Sequence, residues 1–236
     1  MKEPVCPKCN GMGLEEFKDG DKVFTRKCDC RAVDTLLSKC SKANIPKRFI
    51  GFDLRSYYPD TDNPSQERAK NAVRQFIDDY PSVETGLLLH GSIGLGKTQL
   101  LCCIAVEVMK KFDRIDVFYI DWNDLIRVMR SGEGHETRDF ERINRLVTKL
   151  VEADLLLFDE LAAHKVSPWV SDYIYYIINR RYNEKKITVF ATNFYDSSER
   201  GQETLTQKIG DRIRSRLYEM AKTVEIKGVD FRQKHL

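Results

Sequence analysis

The stretch HGSIGLGKTQL, residues 90–100, constrains this chain more than any other, because it fits the pattern G-x-x-x-x-G-K-[ST] with Gly91, Gly96, Lys97 and Thr98. It follows the apolar run GLLLH (86–90) and leads into TQLLCCIAVEVMKKF, a helical run. A glycine turn between a strand and a helix N-terminus lets successive backbone N–H groups close around an anion, with the helix dipole behind them. The spacing therefore predicts a phosphate cradle built from Gly91, Ser92, Ile93, Gly94, Leu95, Gly96, Lys97, Thr98 and Gln99. Lys97 is expected to reach the β- and γ-phosphates of ATP, and the Thr98 hydroxyl to hold Mg²⁺. A chance glycine-rich turn is the competing reading, and the strand before and helix after argue against it.

The rest of the chain repeats the same grammar. Apolar runs read as strands at 86–90, 115–120, 154–158, 187–191 and 223–227, and amphipathic runs as helices at 65–80, 96–112, 122–130, 137–152, 168–184 and 204–220, with Ser65 as an N-cap. Alternation of that kind predicts an α/β fold with a mainly parallel sheet covered on both faces. The 236 residues suit one main domain and a small appendage, divided at an Ile-Pro step: residues 1–44 and 45–236, with KANIPKRFIGFDLRSYYPD (42–60) as the linker into the main domain. No apolar run approaches the roughly 18–20 residues of a membrane span, and the start, MKEPVCPKCNGMG, has no apolar signal region. A cytoplasmic location without membrane contact is expected. The net charge of +3 leaves nucleic-acid binding to a local patch.

Five of the seven cysteines fall in the first 40 residues: Cys6, Cys9, Cys28, Cys30 and Cys40. In a cytosolic chain such clustering points to metal rather than disulfides. CPKC (6–9) and CDC (28–30) bracket eighteen residues containing GMGLEEF and the strand-like KVFTRK. Two turns joined by a short hairpin would bring Cys6, Cys9, Cys28 and Cys30 around a tetrahedral Zn²⁺, with Cys40 as an alternative ligand. A redox C-x-x-C is the rival, but no βαβ pattern surrounds it. Metal would supply the folding energy that a segment this short lacks in its own core. Residues 1–50 carry eleven Lys/Arg against seven Asp/Glu, an excess that four zinc-bound thiolates would cut by about half. A module that grips a protein partner fits as well as one that grips nucleic acid.

ADLLLFDE (153–160) reads as a buried strand whose tip carries Asp159 and Glu160. Beside a phosphate loop, Asp159 is expected to orient Mg²⁺ and Glu160 to polarise the attacking water. TVFATNF (188–194) reads as another strand, placing Asn193 at a tip between the other two, where an amide can hold the same water and sense the γ-phosphate. Loop, acidic tip and polar tip, in that order, make the ATPase core of the AAA+ class.

IPKRF (45–49), DLLLFDELAAHKVSPWVSDYIYYIINRRY (154–182) and GDRIRSRLYEMAKTVEIKGVDFR (210–232) resemble the bacterial replicative-helicase loaders of the DnaC/DnaI type, with the insertion-sequence helper ATPase IstB as a close cousin. The resemblance spans nearly all of residues 45–232. It implies a lidless AAA+ P-loop ATPase domain, in keeping with only twenty residues after Arg216. It also implies that the cysteine-rich module binds a DnaB-type replicative helicase, and that ATP sites are shared between subunits of a self-assembly. In the resembled family a trans-acting arginine reaches the neighbour's γ-phosphate. S-R-L places that role on Arg216, with Arg212 one turn earlier as the fallback.

One feature is readable without the family. In TRDFERINRLVTKLVE (137–152), Arg138, Arg142, Arg145 and Lys149 follow spacings of four, three and four, and fall within a ~60° stripe at ~100° per residue. Phe140, Ile143, Val147 and Leu150 fall opposite. An unbroken cationic line suggests phosphates, against the alternative of a merely solvated face. The resemblance implies that these belong to single-stranded DNA, since helicase loaders carry a DNA-contacting helical element at this position. The whole reads as an ATP-dependent helicase loader in replication initiation. The alternatives are an IstB-like transposition helper ATPase and a nucleotide-gated scaffold without turnover.

Overall fold

A computed structural model describes residues 6–9, 12–20, 22–60, 63–131, 137–196 and 203–233. Near its N-terminus an antiparallel hairpin, β1 (Leu14–Asp19) and β2 (Lys22–Lys27), sets Phe17 opposite Phe24. Helix α1 (Asp29–Lys42) follows directly. Sequence reasoning gave these residues no helix, and α1 is more than a spacer. Cys40, Ala43 and Ile45 are buried in the same core as the main sheet. The segment expected to be a linker is likewise packed. It holds two 3₁₀ turns, Lys47–Phe49 and Leu54–Ser56, and buries Leu54 and Tyr57.

Helix α2 (Pro64–Asp79) is capped by Asn63, not Ser65. Pro64 presets the first helical φ, and the Asn63 carboxamide accepts from the Ser65 N–H. The main sheet then alternates with helices: β3 (Gly86–Gly91), α3 (Lys97–Lys111), β4 (Val117–Asp121), α4 (Trp122–Ser131), α5 (Thr137–Glu152), β5 (Leu155–Asp159), α6 (Pro168–Asn183) and β6 (Ile187–Thr192). The predicted helix over 204–220 is two helices, α7 (Leu205–Ile209) and α8 (Asp211–Met220). Gly210 between them adopts φ 80°, ψ 156°, which no helix continues through. Strand β7 (Ala221–Ile226) completes the sheet, and a 3₁₀ turn, Phe231–Gln233, follows it.

The strands of this main sheet are all parallel, in the order β4-β5-β6-β3-β7. Their period of two sorts the apolar runs into two cores. Leu87, Leu89, Tyr119, Leu155, Leu157, Val189 and Ala191 face the layer of α1, α2 and α3. Leu88, Phe118, Ile120, Leu156, Phe158 and Phe190 face the layer of α4 to α8. A buried arginine pins the second layer to the sheet. Arg181, 1% exposed, donates to the carbonyls of Leu150, Val151, Ala153 and Ile187 and to Thr188 Oγ1. It thereby satisfies the carbonyls at the end of α5 that the helix leaves unpaired. Among the described residues no helix is long and apolar enough to cross a membrane.

Candidate functional site

The loop after β3 and the tips of β5 and β6 meet at the carboxyl edge of the sheet, where open α/β sheets bind ligands. The strand order also sets β6 between β3 and β5, as Asn193 was expected to require. Gly96, the residue before α3, sits at φ 77°. A side chain there would run into the Tyr57 ring, so the close approach as well as the left-handed backbone calls for glycine. Tyr57 Oη donates to the Leu95 carbonyl at 3.2 Å, and Gln99 Nε2 donates to the Ser56 carbonyl at 2.9 Å. Within the loop, Leu95 is fully buried as a plug in the core, whereas Ile93 is exposed. Lys97 is 7% exposed, and its ammonium donates to the carbonyls of Gly91 and Ser92 at 2.8 and 2.6 Å. Burial lowers its pKa to about 8, with Asp159 and Glu160 opposing the shift.

Asp159, 2% exposed, is held from several sides. Tyr119 Oη donates to its Oδ2 at 2.8 Å and the Glu160 N–H donates to its Oδ1 at 2.9 Å, and the Thr98 side chain lies beside it and favours its charged form. Burial nevertheless raises its pKa above the usual carboxylate range. A threonine hydroxyl and a buried carboxylate side by side at a phosphate loop are hard oxygen donors suited to Mg²⁺. Glu160 is half-buried, and Asn123 Nδ2 donates to its Oε2 at 3.1 Å. Burial first, then Asp121 and Asp159, raise its pKa. Glu160 and Ala162 adopt φ of 51° and 70°, a conformation that costs non-glycine residues on the order of 1 kcal/mol or more. Two bonds hold that turn against β6: Leu161 N–H to the Ala191 carbonyl and Thr192 Oγ1 to the Leu161 carbonyl, both 2.8 Å.

These groups open into one cleft of about 900 Å³, which Asn193 also lines. Its other walls were not foreseen. Arg48 and Phe49 of IPKRF, Tyr57 and Tyr58, and Phe231 and Arg232 of GVDFR all face it. The Phe231 N–H donates to the Gly94 carbonyl at 3.1 Å, which lays that last segment against the phosphate loop. Both motifs had signalled only a family likeness. Their aromatic and basic content beside a predicted phosphate loop was the available clue to a nucleotide pocket.

Arg216 does not line this cleft. It is half-buried on α8, with Nε donating to Asn179 Oδ1 at 2.9 Å, Nη2 to Tyr175 Oη at 3.0 Å and Nη1 to the Arg212 carbonyl at 3.1 Å. Arg212 is exposed. Between them, Arg214 is buried, forms a bidentate pair with Asp196 on the loop after Asn193, and stacks on Tyr218. On α5, Arg142, Arg145 and Lys149 are exposed, while Ile143, Val147 and Leu150 are buried. Phe140, expected on the apolar face, is 37% exposed. The Arg138 side chain lies outside the described residues.

Around the N-terminal hairpin, Cys6, Cys9, Cys28 and Cys30 bring their sulfurs within 4.8 Å of one another. Cys9 and Cys30 stand 3.4 Å apart, Cys6 and Cys28 3.8 Å, and none is in a disulfide. Four sulfurs about 2.3 Å from a tetrahedral Zn²⁺ stand about 3.8 Å apart, so the set fits that ion. The Gly13 N–H donates to Cys9 Sγ at 3.2 Å, which orients one thiol toward the group. Cys40 is in the hydrophobic core and outside this cluster.

A family model described as "IstB-like ATP binding protein" matches residues 17–236. The chain belongs to that family. Within it, the IstB-like chain has the AAA+ fold of the helicase loaders. It is similar to the solved crystal structure of the DnaC helicase loader, at 31% identity and a TM-score of 0.64, over 77% of this chain and all of that one. It is 27% identical over 138 residues to the replicative helicase loader DnaI of Bacillus subtilis (strain 168), covering 57% of this chain and 42% of that protein. It is 28% identical over 166 residues to the chromosomal replication initiator protein DnaA of Treponema pallidum (strain Nichols), covering 67% of this chain and 34% of that protein. The chain thus spans well under half the length of these curated relatives.

Proposed function

We propose that this chain is an ATP-dependent helicase loader, in which a zinc-bound module (1–44) grips a replicative hexameric helicase and an AAA+ domain (45–236) hydrolyses ATP and touches single-stranded DNA. The observation that carries the reading is the likeness to the DnaC helicase loader over that structure's whole length. The four-thiol cluster joined to such a domain supports it. Lys97 and the loop amides bind the phosphates. Mg²⁺, held by Thr98 and Asp159, would neutralise charge developing on the phosphate oxygens. Glu160, kept near its working position by Asn123 and poised by a raised pKa, takes the proton of the attacking water, with Asn193 orienting it. A second reading, an IstB-type transposition helper, rests on the family model itself. Capture of the purified hexameric helicase, and not of a transposase, by the immobilised chain is the expected result; the reverse would favour the second reading.

The module makes its own prediction. Purified protein should contain about one Zn²⁺ per chain by elemental analysis, and Cys6→Ser or Cys28→Ser should release it. Amide exchange should then quicken over the hairpin, while nucleotide binding persists, because every strand of the main sheet lies after residue 45. Retention of helicase by metal-free protein would contradict the zinc hook.

The cationic helix makes another. Changing Arg142 and Arg145 to Ala should weaken single-strand binding at every sequence and flatten its log–log salt dependence by roughly 0.7 per contact removed. Monomer ATP binding should be untouched, since neither side chain lines the cleft. An unchanged salt slope would leave α5 as a solvated face.

A further inference from the structure

Strand β4 is an edge of the main sheet, and Tyr119 lies in the middle of it. Edge strands leave backbone groups free, and here the end of α1 takes them. The Tyr119 N–H donates to the Ala43 carbonyl at 2.8 Å, and Asn44 Nδ2 donates to the Tyr119 carbonyl at 3.1 Å. Asn44 adopts φ 59°, a left-handed turn that lets the chain leave the helix and lie along the strand. Upstream, Lys39 Nζ donates to the carbonyls of Met109 and Phe112, so α1 also fastens the far end of α3, the helix that begins at the phosphate loop.

The side chain of the same tyrosine points the other way in function. Tyr119 pairs with Leu157 and Asp121 with Asp159, so period two puts Tyr119, Leu157 and Asp159 on one face of neighbouring strands. From there the 4%-exposed Tyr119 places its hydroxyl on Asp159 Oδ2 at 2.8 Å. One residue therefore carries both the seat of the N-terminal helix and a hydrogen bond to the carboxylate best placed to hold metal.

We propose that Tyr119 is a positioning residue for Asp159, and that through it Mg²⁺-dependent nucleotide binding and the seating of α1 are coupled. Any movement of α1 imposed by a partner on the N-terminal module shifts the Tyr119 backbone, and with it the hydroxyl that fixes Asp159. Coupling of this kind is reciprocal: metal and nucleotide that lock Asp159 must tighten α1 by the same factor. The proposal rests on the ATP reading above.

The test uses the full chain and a fluorescent, non-hydrolysable ATP analogue titrated with Mg²⁺. Tyr119→Phe keeps the ring and the backbone pairing and removes only the hydroxyl. It should raise the Mg²⁺ concentration for half-maximal analogue binding about ten-fold, the usual scale for a lost hydrogen bond to a charged group, and leave binding in EDTA unchanged. Asn44→Gly keeps the left-handed turn and removes the clamp on the Tyr119 carbonyl, and should shift the same midpoint about three-fold in the same direction. Hydrogen exchange over residues 39–45 should slow when Mg²⁺ and analogue bind the unmodified chain, and should not slow in Tyr119→Phe. An unchanged or lowered midpoint in Tyr119→Phe, or α1 exchange indifferent to Mg²⁺ and analogue, overturns the coupling. Absence of Mg²⁺-dependent binding in the unmodified chain would instead overturn the ATP reading.

Discussion

Glu160→Gln is expected to hold Mg·ATP as the unmodified chain does and to hydrolyse it roughly 10²–10⁴-fold more slowly, the range associated with a positioned general base. Glutamine keeps the shape and can still meet the Asn123 amide through its carbonyl oxygen, but it cannot accept the proton of water. Lys97→Ala is expected to differ in kind. Lys97 is buried and already bonded within the loop, so its charge acts on bound phosphates in the ground state. Its loss should abolish tight ATP binding, and turnover with it. Equilibrium binding and single-turnover hydrolysis measured side by side separate the two. Undiminished turnover in Glu160→Gln would remove the base from Glu160.

The parts of this site that sequence reasoning reached are those carried by short-range chemistry. A glycine loop between strand and helix, two acids after LLLF and an amide after VFAT each declare a strand tip without knowledge of what lies beside it. The sheet order then brings the three tips together, and parallel strands alternating with helices allow few other orders. The break at Gly210 was less visible, because the helical periodicity resumes on its far side and only its φ of 80° marks the stop.

What escaped is held by long-range contact. Tyr119 lies within, and Asn123 just after, a strand that looks like any other, and their partners Asp159 and Glu160 lie about 40 residues away in sequence. The Arg214–Asp196 pair had no signature, since one arginine among three in GDRIRSRL gives no sign of being the buried one. The helix after CDC was hidden for another reason. Its apolar positions include the exposed Val33 and Leu37, so they do not mark one buried face, and the cysteines beside them read more readily as ligands than as core.

Arg216→Ala is expected to leave ATP bound to each chain and to lower hydrolysis by roughly 10³–10⁵-fold, the scale of a guanidinium supplied to a γ-phosphate from outside. Within one chain Arg216 stays out of the cleft and is held by Asn179 and Tyr175 on α6, so a nucleotide phosphate it met would have to belong to a neighbour. Arg214 cannot take its place, being buried against Asp196, whereas exposed Arg212 can, and Arg212→Ala is the matched control. Mixing decides between a trans role and a merely structural one. Arg216→Ala chains keep intact loops and Lys97→Ala chains keep intact arginines, so a mixed assembly rebuilds complete sites wherever an Arg216→Ala loop faces a Lys97→Ala helix. Turnover should therefore recover in the mixture to a fraction of the unmodified rate, and should vary with the mixing ratio. If co-assembly is verified and no turnover returns, Arg216 does not act across the interface. If Arg212→Ala behaves as described and Arg216→Ala does not, the role passes one turn back along α8.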